Sequence, residues 1–258
     1  MDYENIIFEK EGSIATITLN RTRVLNSLSY KMIGEILDAI GRLAEDDEVR
    51  AVIITGAGRG FCAGDDLRGM GDQPAFDRKD SIRQRQQMLI KSLKKLRKPV
   101  IAAINGNCHG AGSDIALACD FRIASEEAKL GDLRSRNGIS IASGATHQLP
   151  LVVGLPKAIE LLLTGDMIDA KEAERIGLVN KTVPTDKFKT EVMALANKLA
   201  QGPTKLMGQA KTQIYRELSM SLASALEDEL IEVFVQTEDG QEGRKAFFEK
   251  RPPKYTGK

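Results

Sequence analysis

A chain of 258 residues, 42% hydrophobic and 28% charged, can bury one large core, alone or with an appendage. Its 37 Lys and Arg against 36 Asp and Glu leave a net charge of +1, which argues against a nucleic-acid footprint, and no apolar run reaches the roughly 18 residues that span a bilayer. The start, Met1-Asp2-Tyr3-Glu4-Asn5, lacks the basic and apolar regions of a signal peptide; Cys62, Cys108 and Cys119 read as free thiols of a reducing compartment; and two histidines without ligand spacing argue against zinc. The expectation is a cytoplasmic, soluble, metal-free protein.

In chain order, Ile6 to Lys10 and Ser13 to Leu19 read as two strands of a hairpin around Glu11-Gly12, followed by a polar loop from Asn20 to Asn26. Met32, Ile33, Ile36, Leu37, Ile40, Leu43 and Ala44 follow helical spacing, so 29–46 is an amphipathic helix. Ala51 to Thr55 is a buried strand leading into the glycine-rich Gly56-Ala57-Gly58-Arg59-Gly60-Phe61-Cys62-Ala63-Gly64-Asp65-Asp66-Leu67. Residues 71–79 look like loop and 79–98 a charged helix. The run from Pro99 to Ile104 is a strand buried on both faces; Phe121 to Ala124 is the next strand. From Pro156 the pattern turns helical, at 156–164, 170–176, 185–201, 203–217, 220–238 and 240–250, with one strand at 178–183. Strand–helix alternation implies α/β layering up to about residue 125. The apolar faces of the helical tail are too many for one layer, which points to a neighbouring subunit.

The stretch with most chemistry is Asn105-Gly106-Asn107-Cys108-His109-Gly110-Ala111-Gly112-Ser113-Asp114. Strand, glycine turn and helix start follow one another, leaving unpaired N–H groups at the positive end of a helix dipole. Asp114 lies three residues beyond Ala111, so its carboxylate shares the helix face of that N–H. An N–H aimed at an oxygen beside a carboxylate is the minimum kit for enolate chemistry. The loop after Ala51–Thr55 could supply a second N–H. It is no dinucleotide fingerprint, because the third glycine of that motif falls on Phe61, and no phosphate-binding P-loop is present. His109 reads as a polar loop residue or a lining of an acyl pocket, and Cys62 and Cys108 as packing.

Phe61-Cys62-Ala63-Gly64-Asp65-Asp66-Leu67 together with Asn105-Gly106 through Asp120 resembles the enoyl-CoA hydratase/isomerase (crotonase) family. The resemblance extends from Thr16-Ile17-Thr18-Leu19-Asn20-Arg21 and Leu25-Asn26-Ser27-Leu28, through Leu163-Thr164-Gly165 and Ala170-Lys171-Glu172-Ala173, to Phe247-Phe248-Glu249-Lys250-Arg251. It implies an α/β fold, a spiral of ββα units over 1–195 carrying the acyl-CoA site, with a helical oligomerisation region over 196–258 that forms a trimer or a dimer of trimers. It implies an acyl-CoA thioester substrate, with coenzyme A entering as part of the substrate and no permanently bound cofactor. By position, the oxyanion-hole N–H groups belong to Asp65 and Ala111. Coenzyme A contacts map to Arg23, Val24 and Leu25, to Ala63 and Leu67, and to Phe247 and Lys250; Thr22 replaces the proline usual before the first of these segments.

In hydratases of this family two glutamates hold a water. The first falls on Asp114, one methylene shorter, and the second on Arg134, whose guanidinium cannot act as acid or base near neutral pH. Three readings stay open. Asp114 works as the single acid/base while Arg134 binds an anionic acyl group; or Asp132 supplies the missing carboxylate; or Arg134 pairs with Asp114 or Asp132 and hydratase activity is lost. The sequence points first to hydration of a 2-enoyl-CoA or its reverse, a lyase reaction. The alternatives are double-bond isomerisation, acyl-CoA hydrolysis, and a non-catalytic acyl-CoA-binding subunit.

Overall fold

A computed structural model describes residues 2–67, 82–228 and 237–258. Strands β1 (Ile6–Glu11) and β2 (Ile14–Leu19) form the expected antiparallel hairpin, with Gly12 at φ 57° in its turn. Helix α1 (Tyr30–Glu45) starts where Ser29 caps it, the hydroxyl accepting from Met32 N at 3.2 Å. Three windings of one pattern follow. The first is β3 (Ala51–Gly56), β4 (Gly60–Cys62) and α2 (Ile82–Lys95); the second is β5 (Val100–Ile104), β6 (Asn107–His109) and α3 (Ala111–Ala118). The third is β7 (Phe121–Ser125), β8 (Lys129–Gly131) and α4 (Ala145–Val153). Each winding gives one strand to each of two sheets and then a helix, the spiral of ββα units. The chain continues through α5 (Leu155–Thr164), β9 (Met167–Asp169), α6 (Ala170–Arg175), β10 (Lys181–Val183), α7 (Phe188–Ala200), α8 (Thr204–Glu217), α9 (Leu222–Asp228) and α10 (Glu238–Glu249).

The larger sheet runs β1-β2-β3-β5-β7-β10, parallel apart from the opening hairpin; the smaller runs β4-β6-β8-β9, parallel apart from β8 with β9. All five residues of β5 are buried, as its unbroken apolar run requires. Alternation divides the large sheet between two cores. Val52, Ile54, Val100, Ala102 and Ile104 pack with the apolar stripes of α1, α2 and α3. Ala51, Ile53, Ile101, Ala103 and Ile123 pack on Val192, Ala196 and Ala200, spaced by four on α7. One face of α7 therefore covers its own sheet.

Most expected helices are present within one to three residues of their ends. Residues 71–81, with the loop at 71–79 and the start of the 79–98 helix, lie outside the described residues, as do 229–236 of the 220–238 helix. The strand at 178–183 shortens to Lys181–Val183: Leu178 and Val179 are buried without pairing in a sheet. Helix α4, which periodicity does not announce, is short and bounded by Gly144 and Gly154, with Pro150 inside it. Among the described residues no helix is long and apolar enough to cross a membrane.

Candidate active site

The site is assembled from backbone before side chains. Gly112, on the first turn of α3, lies so close to β4 that a Cβ there would fall 2.3 Å from the Cys62 carbonyl oxygen. This contact seats the N-terminus of α3 against the segment after β4. That segment turns at Gly64, φ 87°, whose Cα edge faces the 109–111 backbone: a Cβ there would lie 3.1 Å from His109 O and 3.4 Å from Ala111 N. Opposite, Leu28 N donates to Gly64 O at 2.8 Å and Asp66 N to Leu28 O at 3.0 Å, so the Asp65 N–H between them is turned away from Leu28. Among the described residues neither the Asp65 N–H nor the Ala111 N–H donates a hydrogen bond. Two side-chain amides, the buried Asn26 and the half-buried Asn105, lock the turns. Asn26 donates to Ala57 O at 3.0 Å and Gly60 O at 2.8 Å, and Asn105 accepts from Gly56 N at 3.1 Å and donates to Gly58 O at 3.0 Å.

The structure therefore brings Asp65 and Ala111 to facing turns, and it brings Arg23, Val24 and Leu25 beside them. Thr22–Val24 is a 3₁₀ turn, and Leu25 O accepts from Ala63 N at 3.0 Å. Arg23 is exposed, Val24, Leu25 and Ala63 are half-buried, and Leu67 is 50% exposed. Phe247 and Lys250 sit on α10 and at its end, Phe247 at 78% exposure. Among the described residues no hydrogen bond or ion pair joins α10 to the two glycine turns; its bonds run to the C-terminal tail through Asp239 and Glu242.

Asp114 stands in the first turn of α3 and Arg134 in the turn after β8. Arg134 Nη1 donates to Asp114 Oδ2 at 2.7 Å and Nη2 to Asp114 Oδ1 at 3.2 Å. Its Nε donates to Asp132 Oδ1 at 2.8 Å and its Nη2 to Asp132 Oδ2 at 2.5 Å. One guanidinium thus clasps two carboxylates, and all three groups are sealed: Asp114 is 1%, Asp132 3% and Arg134 5% exposed. Burial pushes the Asp114 carboxyl above its ordinary range, with Arg134 pulling the other way. Arg134 is so thoroughly satisfied that its donors are committed to protein carboxylates.

Asp65 differs from both its neighbours. Asp66 is drawn off to Arg21 Nη2 at 2.7 Å. The Asp65 side chain is half-buried and accepts from Gln86 Nε2, a buried amide on α2 whose Oε1 in turn accepts from Ser143 Oγ at 3.0 Å. Burial raises the Asp65 carboxyl; the Gln86 hydrogen bond and the Arg134 charge oppose that. The Gln86–Ser143 support is what sequence reasoning missed, since nothing at 86 or 143 signals partners 21 and 57 residues away. The clasp had a signal, the Asp132-Leu133-Arg134 spacing. Burial holds the His109 imidazole below its ordinary value and pushes the Cys62 and Cys119 thiols up to about 12, so these are packing groups, not nucleophiles. Among the described residues no three metal-ligating side chains gather.

Two sheets wound by ββα units, with facing amides at a helix N-terminus, define the crotonase fold: an enoyl-CoA hydratase from Bacillus anthracis superposes with a TM-score of 0.90 at 35% identity, over 99% of this chain and all of that one. The family described as enoyl-CoA hydratase/isomerase matches residues 9–258. The short-chain-enoyl-CoA hydratase of Clostridium acetobutylicum is 38% identical over 97% of both chains, and the crotonyl-CoA hydratase of Syntrophomonas wolfei is 36% identical over the full length of both. The chain belongs to the enoyl-CoA hydratase/isomerase family.

Proposed function

We propose that this protein adds water across the C2=C3 bond of a short 2-enoyl-CoA thioester, and catalyses the reverse. The observation that carries the reading is the approach of the Gly64–Asp65 turn to the Gly110–Ala111 turn, with both N–H groups unclaimed among the described residues. The thioester oxygen sits between the Asp65 and Ala111 N–H groups, each worth about 3–4 kcal/mol as charge develops on that oxygen. Asp114, held by Arg134, handles the proton of the attacking water. Arg23, Val24, Leu25, Ala63 and Leu67 contact coenzyme A, joined by Phe247 and Lys250 of the C-terminal region. Relatives named for short-chain and crotonyl substrates support a short acyl group.

A second reading, isomerisation by one shuttling carboxylate, rests on Arg134 standing where hydratases of this family carry their second glutamate. Assembly as a trimer or hexamer through 196–258 is also proposed, supported by the exposed Phe247 and Phe248 and by Leu155 and Leu163 on α5; sedimentation as a monomer overturns it. Three buried, unpaired cysteines support a cytoplasmic location. The deciding assay follows the conjugated enoyl-thioester absorbance of crotonyl-CoA. Hydration removes it; Asp114→Asn lowers the rate about 10²–10⁴-fold. Absorbance that persists while coenzyme A still binds overturns the hydratase reading.

A further inference from the structure

The carboxyl group of Asp65 is not needed for the oxyanion hole, which uses only its main-chain N–H, yet the fold holds that side chain at a defined place. Gln86, 5% exposed, donates to Asp65 Oδ1 and is itself held by Ser143, 4% exposed. Asp65 is also the least enclosed carboxylate of the cluster: Asp114 and Asp132 are 1% and 3% exposed and clasped by Arg134. The adjacent Asp66 is engaged with Arg21. The Asp65 carboxyl is three bonds from the N–H that binds the thioester oxygen, and C2 of the substrate is two bonds from that oxygen. Both tethers are short, which bounds how far the carboxyl and C2 can lie from one another.

We propose that the Asp65 carboxyl is a catalytic group, the acid that delivers the proton to C2 and so fills the place Arg134 leaves open. The inference rests on the hydratase reading for the direction of the chemistry. The two carboxyls divide the work by their partners. Asp114 is clasped by a guanidinium, which opposes the rise that burial imposes on it, whereas Asp65 receives its hydrogen bond from a neutral amide. The charged groups around Asp65 are Arg83 on α2, Asp114 on α3, and Asp132 and Arg134 in the turn after β8, two cations against two anions. Burial accordingly favours the protonated form of Asp65 more than any single neighbour opposes it.

In the forward step the Asp114 carboxylate takes a proton from water as the water oxygen bonds to C3. The C2=C3 electron pair shifts to form the C1=C2 enolate, whose oxygen is held by the two N–H groups. The Asp65 acid then gives its proton to C2, the C1=O bond re-forms, and Asp65 is left as carboxylate. Return of the Asp114 proton to Asp65 resets the pair, so one water has been consumed and nothing else.

Asp65→Asn keeps the main-chain N–H and an acceptor for Gln86 but removes the acidic carboxyl proton. With crotonyl-CoA the expected result is a kcat lower by about 10²–10⁴-fold with KM nearly unchanged, and loss of the alkaline fall in kcat that marks ionisation of the acid. Asp65→Glu should recover about tenfold or more of that loss, which a merely structural role for the carboxyl would not produce. A second measurement needs no hydration. Butyryl-CoA, a saturated thioester, should exchange its C2 hydrogens with deuterated water by NMR in the parent and far more slowly in Asp65→Asn. Equal exchange in parent and variant, or a variant with parental kcat and pH profile, overturns the assignment. A parent that exchanges C2 through Asp65 but leaves crotonyl-CoA intact overturns the hydratase reading alone.

Discussion

The two sheets teach opposite lessons about how a sequence encodes a structure. Strands of the large sheet run five or six residues where they form its centre, with Ile53, Ile54, Ile101 and Ala102 alternating between two cores. Strands of the small sheet are three residues each, Gly60–Cys62, Asn107–His109, Lys129–Gly131 and Met167–Asp169, and give the buried core only Phe61, Cys62, Cys108 and Leu130. The large sheet is stabilised by burial; the small one is fixed by close backbone approach and by buried polar clasps. The proposed chemistry sits on the small one. A framework made of apolar side chains tolerates small changes of volume, whereas a site made of main-chain amides depends on positions that a single added atom displaces.

The largest expected effect follows from removing the clasp. Arg134→Met leaves Asp114 and Asp132 buried without a cation, which costs about 3–5 kcal/mol of stability. Arg134→Lys recovers little, because an ammonium cannot reproduce four directed hydrogen bonds to two carboxylates. The sign of the pH response is fixed. Without Arg134, burial and the neighbouring Asp132 and Asp65 charges all act on Asp114 in one direction, raising the folded-state value above the unfolded one. Protonation then favours the fold, so the variant's deficit is greatest at neutral pH and narrows as pH falls through the carboxylate range. Thermal melts of parent and variant between pH 7 and 4 measure this; a gap that widens on acidification breaks the argument.

The same substitution made in each kind of region sharpens the contrast. Gly41 lies on the exposed side of α1 with open space around it, and Gly41→Ala should stabilise by about 0.5–1 kcal/mol through helix propensity alone. Gly112 is also helical, but its added methyl meets the Cys62 carbonyl at 2.3 Å. Gly112→Ala should therefore destabilise by about 1–3 kcal/mol despite the propensity gain. It should also lower turnover of crotonyl-CoA by roughly 100-fold, since it pushes Ala111 away from Asp65. Denaturant unfolding and steady-state rates test the pair; equal stability changes would remove the difference drawn between the regions.

How much of this was readable beforehand follows the same division. Helix α1 was plain from Met32, Ile33, Ile36 and Ile40, and β5 from its unbroken apolar run, because burial writes itself as periodicity. The turns bearing Asp65 and Ala111 were found through glycines, whose placement records backbone proximity. Pairing of Gly56 with Asn105, or of Asp65 with Gln86, leaves no such mark: each is a polar contact between residues 21 or 49 positions apart, specified only once the spiral has formed. Helix α4 carries no helical signature because its nine residues include Pro150 and place the polar Thr146, His147 and Gln148 directly after Ala145.

The smallest effect comes from a half-buried, solvent-reached counterpart of the buried clasp. On α10, Glu242 accepts from Arg251 Nη1 at 2.6 Å and Nη2 at 2.9 Å, and from Lys254 N at 2.7 Å. The chemistry matches Arg134 with Asp114, but here water reaches the pair, whose side chains are 33% and 21% exposed. The Arg251 hydrogen bonds hold the Glu242 carboxyl down at about 2, the reverse of the Asp114 shift, because the desolvation that dominates at Asp114 is minor at the surface. A depressed value contributes stability above the ordinary carboxylate range and loses it as pH falls toward 2. Glu242→Gln should therefore lower Tm slightly at pH 7, with the difference shrinking in 1 M salt, where screening is nearly complete over about 3 Å, and vanishing in acid. Arg134→Met, whose charges lie beyond the reach of salt, should keep its deficit under the same ionic strength. If both variants responded to salt alike, burial would not be what separates the two clasps.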